Sequence, residues 1–328
     1  MKNKLLMQSR TLTFPVVFAL LHLFCTVVVE AGDVAIEIST FDSLYEPSGV
    51  VQVKTGAVIV IEDERGTPLY FVRPQQRSER GVLARGKSLS VGVEVDDLEG
   101  ITASGDSTLF AITSHSVTRK GKRKEDREQL LKLKVQNNSV TLTGEAHSIQ
   151  PYVIKQLQQL QEFDEILMDA INIEGLSFDK SGKKLLVGLR EPLFNGKAIV
   201  LEILNPFSLF EDNEPPLFSD QLILLDVGGS GIRAMEYFPQ LKRYLVASEV
   251  TNKNGKKRSR VWAWDGTKHN SPTKVVLPKL KGIRNIEGLA PLVYENKHFL
   301  LIVCDDGKRG EEKGAHYVLI RNTEFSVN

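Results

Sequence analysis

Cysteine is nearly missing from this chain: among 328 residues only Cys25 and Cys304 carry a thiol. Cys25 falls inside an apolar leader, so Cys304 stands alone and neither an intrachain disulfide nor a thiolate cluster can form. Histidine is scarce as well, and no two of the six have the spacing of zinc ligands. A serine-hydrolase elbow is absent, because Gly228-Gly229-Ser230-Gly231 runs into Ile232 where the G-x-S-x-G pattern needs glycine. An excess of charge of one sign is lacking too: 42 Lys and Arg face 41 Asp and Glu. That balance implies neither nucleic acid nor an anionic membrane as partner. With soft ligands excluded, a bound metal is expected to be hard and oxygen-ligated, calcium first.

What is present begins with the leader. Lys2, Lys4 and Arg10 precede an apolar run from 14 to 29 that ends at Val29-Glu30-Ala31, as in a secretory signal peptide cut after Ala31. The run is long enough to leave an uncleaved anchor as the alternative. Cleavage leaves 297 of the 328 residues. The leader's three basic groups and Glu30 account for a change in formal charge from +1 to −1. No later apolar run is long enough to span a bilayer, so the remainder is expected as one domain, residues 32–328, in the periplasm or secreted.

That remainder repeats. Asp97-Leu98-Glu99-Gly100-Ile101, Asn172-Ile173-Glu174-Gly175-Leu176 and Asn285-Ile286-Glu287-Gly288-Leu289 each precede a set of short apolar runs, as do Glu46-Pro47-Ser48-Gly49-Val50 and Gly229-Ser230-Gly231-Ile232-Arg233. Aligned on Gly49, Gly100, Gly175, Gly231 and Gly288, the copies are 51, 75, 56 and 57 residues apart, periods that suit propeller blades. In the first copy, strands are expected at 50–53, 56–61, 69–72 and 89–95. The last copy lacks a fourth strand. The alternating run 34–38 is its expected replacement, pairing the two ends of the chain and removing an exposed edge. The fold class is therefore an all-β, five-bladed β-propeller, with six blades as the alternative.

The long step between Gly100 and Gly175 contains residues 150–170, where Val153, Leu157, Leu160, Asp164 and Leu167 follow helical spacing after Pro151. Such a helix either packs on the ring or covers the mouth. Two basic runs, 119–124 and 256–260, read as solvated hairpins between second and third strands.

In a blade the start of the first strand and the end of the second share one face. The starts supply Ser48, Glu99, Glu174, Arg233 and Glu287. The ends supply Glu62, Asp63, Glu64, His115, Arg190, Glu249, Asp305 and Asp306. Ionisable groups therefore converge on one mouth. An acid there can also serve only to bind neighbouring backbone N–H groups.

Together with Ser114-His115-Ser116, Gly188-Leu189-Arg190 and Asp305-Asp306-Gly307, these motifs resemble a bacterial family with a domain of unknown function, number 3616. That family is similar to phytase-like and esterase-like propeller proteins. The resemblance implies a propeller and hints at ester or phosphoester hydrolysis, without assigning a residue to it. The site expected from the residues places His115, Glu174 and Arg190 in catalysis and Arg190, Arg233 and Asp63 on a small polar or anionic ligand. Glu99, Glu174, Glu287 and Asp305 are expected to hold calcium or another divalent cation. A binding propeller without catalysis is the alternative, and fold alone does not choose.

Overall fold

The computed structural model describes residues 35–63, 66, 69–75, 81–83, 86–105, 107–160, 170–278 and 283–327. The leader and its cleavage point lie outside these residues. The first strand, β1 (Ile36–Thr40), stands apart from the blades that follow it in sequence. Blade one is β2 (Pro47–Gln52), β3 (Val58–Glu62), β4 (Leu69–Val72) and β5 (Gly86–Leu89), and blade two is β6 (Leu98–Ser104), β7 (Thr108–Thr113), β8 (Leu130–Gln136) and β9 (Ser139–Leu142). Blade three comprises β10 (Asn172–Phe178), β11 (Leu185–Glu191), β12 (Ala198–Ile203) and β13 (Ile223–Leu225). Blade four comprises β14 (Ile232–Phe238), β15 (Arg243–Thr251), β16 (Lys257–Trp264) and β17 (Thr273–Val276). Blade five has only β18 (Ile286–Tyr294), β19 (Lys297–Cys304) and β20 (His316–Arg321) from its own stretch of chain.

Its fourth strand is β1. The pairing is antiparallel from Ile36 opposite Ile320 to Thr40 opposite His316. The five-bladed ring expected from the repeat is thus closed by the N-terminal strand. One element was not expected: β21 (Ser326–Val327) leaves blade five and pairs with β17, adding a fifth strand to blade four.

The stability of the ring comes from the gaps between blades. Each blade is covered on both faces, so its middle strands are apolar at successive positions, and the period of two decides which gap each side chain fills. In β7, Leu109 and Ala111 join the cluster shared with blade one, while Phe110 and Ile112 join the cluster shared with blade three. In β19, Phe299, Leu301 and Val303 face blade one, and Leu300, Ile302 and Cys304 face blade four. Five hydrophobic clusters fill the five gaps. Cys304 is a packing residue, fully buried, with its thiol held well above its ordinary pKa by burial.

Inner strands converge on the axis, and the repeated glycines make that approach possible. A Cβ on Gly100 would lie 2.9 Å from Leu176 of the next blade, and one on Gly175 would lie 2.7 Å from Ile232. On Gly288 it would fall 2.4 Å from Val303 and 3.1 Å from Val50. Gly288→Ala is therefore expected to cost about 1–3 kcal/mol by overpacking. Thermal denaturation checks this against Gly310→Ala, where nothing lies within 4 Å; equal melting temperatures would remove the packing argument.

Observed elements can be set against the expected ones. The fourth strand of blade one spans Gly86–Leu89 rather than 89–95, because Gly92, at φ 81°, belongs to a turn. The basic run 256–260 lies on the solvated hairpin of β15 and β16, with Lys256, Lys257 and Arg258 exposed and residues 257–260 already in the third strand. The predicted helix is observed as α1 (Gln150–Leu157), which buries Val153 and Leu157 in the gap between blades two and three. Asp164 and Leu167 lie outside the described residues. No helix among those described is long and apolar enough to cross a membrane.

Candidate functional site

Each inner strand carries a bulge at the same place. Leu98 faces Thr113 and Gly100 faces Ile112, so Glu99 is stepped over; Glu174 is stepped over between Ile173 and Gly175, and Glu287 between Ile286 and Gly288. Ser48 and Arg233 occupy the same step in blades one and four. A bulge re-aims the extra residue, and here all five side chains are delivered to one mouth. The blade-four partner of the repeated glycine is accordingly Ala234, not Gly231 as the sequence alignment has it. Ser48, Glu99, Glu174 and Glu287 line a cavity of about 10 Å³ on the axis, room for a single water.

The ring pairs its charges unequally. Arg233 Nη1 donates to Glu174 Oε1 at 3.2 Å and Oε2 at 3.1 Å, and its Nη2 binds Glu287 Oε1. Arg190 Nη1 reaches Glu174 Oε1 at 2.5 Å. Burial raises the pKa of Glu174 against the pull of both guanidiniums, while on Arg233 the carboxylates outweigh burial and hold the proton more firmly. Burial first, and then Glu174 and Asp305, push Glu287 well above the ordinary carboxylate range even with Arg233 beside it. Ser48 has no charge to share and donates instead to the carbonyls of Leu98, in the next blade, and Ile61.

Glu99 is the exception. Its carboxylate makes no hydrogen bond or ion pair with a described residue, and it faces Glu174, Asp97, Glu287 and Asp63. Burial deep in the mouth, followed by those four carboxylates, raises its pKa well above the usual value, although water still reaches part of the side chain. One carboxylate oxygen from each of Asp63, Asp97 and Glu99 lies within 4.8 Å of the other two. Asp97 takes φ 64° two residues before the bulge, as Asn285 does at φ 48°; Asp and Asn tolerate that left-handed region. Behind Asp97, Arg127 Nη2 and Ser116 Oγ donate to its Oδ2, the latter at 3.2 Å.

The remaining predicted residues separate. His115 is 1% exposed at φ 55°; its Nδ1 bonds the Thr113 carbonyl at 2.9 Å, and its Nε2 accepts from Ile149 N at 3.4 Å. Burial lowers its pKa to about 4. With both nitrogens on backbone, the buried imidazole anchors the start of α1. Glu62 binds the N–H groups of Tyr45 and Glu46, and Asp306 binds His316, so both serve structure. Asp305 stands beside the ring, its pKa raised by burial against the charge of Arg233. Glu64 lies outside the described residues.

Asp97 and Arg127 were missed as site residues, although Asp97 opens the repeat motif itself. So was Glu236, three residues beyond Arg233 on β14, whose carboxylate accepts from Thr102 Oγ1 at 2.8 Å and Ser177 Oγ at 3.2 Å. Burial raises its pKa to about 7. The signal was an acid in the middle of a strand with apolar neighbours.

The family described as protein of unknown function (DUF3616) matches residues 152–320, which include Glu174, Arg190, Arg233, Glu287 and Asp305. No curated protein matches the chain. Among solved structures, the major allergen Mala s 1 of Malassezia sympodialis is similar at 9% identity over 88% of this chain and 96% of its own, with a TM-score of 0.51. The PQQ-bound aldose sugar dehydrogenase of Streptomyces coelicolor is similar at 12% identity over 89% and 98%, with a TM-score of 0.43. A GH43_1 enzyme from Xanthomonas citri is similar at 10% identity over 87% and 90%, with a TM-score of 0.47. Likeness at this level concerns the fold alone. The expected likeness to phytase-like and esterase-like propellers finds no support in these structures.

Proposed function

The chain belongs to the family of proteins of unknown function DUF3616, and from its propeller mouth we propose cation-dependent binding of a small anionic ligand. The observation that carries this reading is Glu99, set among four other carboxylates with no cationic group bonded to it among the described residues. A hard divalent cation offsets that repulsion and takes oxygen ligands of this kind, calcium in the first place. The expected ligand set narrows. Glu174 and Glu287 are bonded by arginines, and the carboxylate oxygens that lie together, within 4.8 Å of one another, are those of Glu99, Asp63 and Asp97. Arg190, 37% exposed at its side chain, is the guanidinium open to an incoming anion.

A cation in this place would polarise an ester or phosphoryl oxygen, so hydrolysis of small esters or phosphoesters is the reaction to assay. Binding without turnover is the second reading, favoured by the engagement of His115 with backbone, which takes the one histidine of the mouth motifs out of proton transfer. Export belongs to the same proposal; a mature N-terminus at Gly32, found by mass spectrometry of the protein secreted by its host, would support it.

Calcium at about a hundred times its dissociation constant should stabilise the purified protein by about 2.7 kcal/mol. Glu99→Gln should abolish that shift. The absence of any shift with calcium, magnesium or manganese would overturn the cation. In cation-free buffer the same variant should be more stable than the parent at neutral pH. The sign follows from the raised pKa of Glu99: between the unfolded and the folded value the native state binds the extra proton, so this group's contribution falls as pH rises. The advantage of the variant should therefore widen from mildly acidic to neutral pH, at about 2–4 °C of melting temperature per kcal/mol.

A further inference from the structure

The hairpin of β15 and β16 overshoots the ring on the side of the mouth. Its ladder continues past Ser248 opposite Arg260 through Glu249–Ser259, Val250–Arg258 and Thr251–Lys257, whereas β14 stops pairing with β15 at Ser248. Beside this overhang, between it, the end of β17 and the residues leading into β18, lies a groove of about 1080 Å³. Six cations line it: Lys256, Lys257, Arg258, Arg260, Lys274 and Arg284. The single acid in the lining among the described residues, Glu249, is bonded to Lys257 at 2.8 Å. The other five cations have no carboxylate partner among the described residues. The basic run 119–124 behaves differently, since Lys124 pairs with Asp96 at 3.0 Å and Arg123 with Glu128 at 3.1 Å.

In a chain whose formal charge is only +1, five unmatched cations around one concavity form a local field that an anion with several charges fits. Val261, Val275, Ile283 and Ile286 add apolar surface to the lining, and no aromatic side chain lines it among the described residues. Single-stranded nucleic acid is held by basic grooves that also offer aromatic platforms for its bases, and this groove offers none. We propose that the groove between blades four and five binds a chain of repeated phosphate or carboxylate groups without bases. This goes beyond the cation reading of the mouth and does not depend on it.

The test is calorimetric titration of the mature protein in chelator-containing buffer with three probes: short-chain inorganic polyphosphate, an oligogalacturonate and oligothymidylate of matched charge. Polyphosphate or the oligouronate should bind, with affinity falling as salt rises through loss of counterion release. Arg258→Glu with Lys274→Glu should weaken that binding at least about tenfold, while Glu99→Gln leaves it unchanged. If the reversal lowers the melting temperature, Arg258→Gln with Lys274→Gln replaces it, with a loss of about threefold or more expected. No binding of either base-free probe at low salt, unchanged affinity in the charge variants, or oligothymidylate binding as tightly would overturn the proposal. The first two outcomes exclude a polyanion groove, and the third makes it a nucleic-acid groove.

Discussion

Deletion of Ile36–Thr40 should cost the ring more stability than any single substitution. Five residue pairs hold β1 to β20, and losing them leaves the backbone of β20 open along one side. Beneath the ladder, Glu37 is 5% exposed and its Oε1 accepts from Tyr317 O–H at 2.8 Å and Val82 N at 2.9 Å, while Leu83 N donates to Tyr317 Oη at 3.0 Å. The deletion thus also uncouples blade five from the 81–83 segment of blade one. At about 1 kcal/mol for each hydrogen bond lost, with more for groups left buried and unpaired, the loss is on the order of 5 kcal/mol or above. That is comparable with the whole stability of many domains. The expected result is a melting temperature lower by roughly 10–20 °C, or loss of cooperative unfolding. A synthetic peptide spanning residues 34–42, added in trans, should restore part of it by strand addition. A deleted protein that melts with the parent would rule out closure by β1.

Arg233→Met should be the most damaging change at the mouth. The side chain is 13% exposed and supplies the counter-charge to two buried acids in neighbouring blades. Removing one partner of a buried ion pair costs about 3–5 kcal/mol, because the charge left behind is uncompensated. The defect should depend on pH in a definite direction. Glu174 and Glu287 already have raised pKa values, and without the guanidinium both rise further. The native variant then binds more protons than its unfolded chain from the unfolded carboxylate pKa up to the raised native values, so its stability grows as pH falls through that window. Denaturant melts at pH 5 and pH 8 should show a smaller penalty at pH 5, and adding Glu287→Gln should recover part of it. An equal penalty at both pH values would mean that Arg233 acts by packing and not by charge.

Much of this architecture could be read from the residues, and the reasons are specific. Periods near 55 residues and three Glu-Gly pairs count blades because every blade must bring a strand of the same kind to the axis. The missing fourth strand of the last repeat pointed to β1 for the same reason. Blade four misled the alignment, since what the axis requires is a small residue after the bulge, and Ala234 meets that need while Gly231 carries the glycine signal. The two-residue strand β21 was invisible because nothing so short has a period. At the mouth, the identity of the ring residues was legible, but their pairing was not: whether Arg233 meets Glu174, Glu287 or both is decided by which blades adjoin it. His115 looked available for chemistry because a sequence does not reveal that Thr113 and Ile149 enclose its ring.

The five bulges have a consequence for how such a protein changes over generations. Direction toward the mouth is imposed by backbone, at a step that tolerates Ser48, Glu99 and Arg233 alike. A single codon change at any of these positions therefore rewrites the charge of the ring without requiring a new scaffold. Rings built on this backbone can differ in the charge of the mouth through stepwise edits at five positions while keeping the same blades.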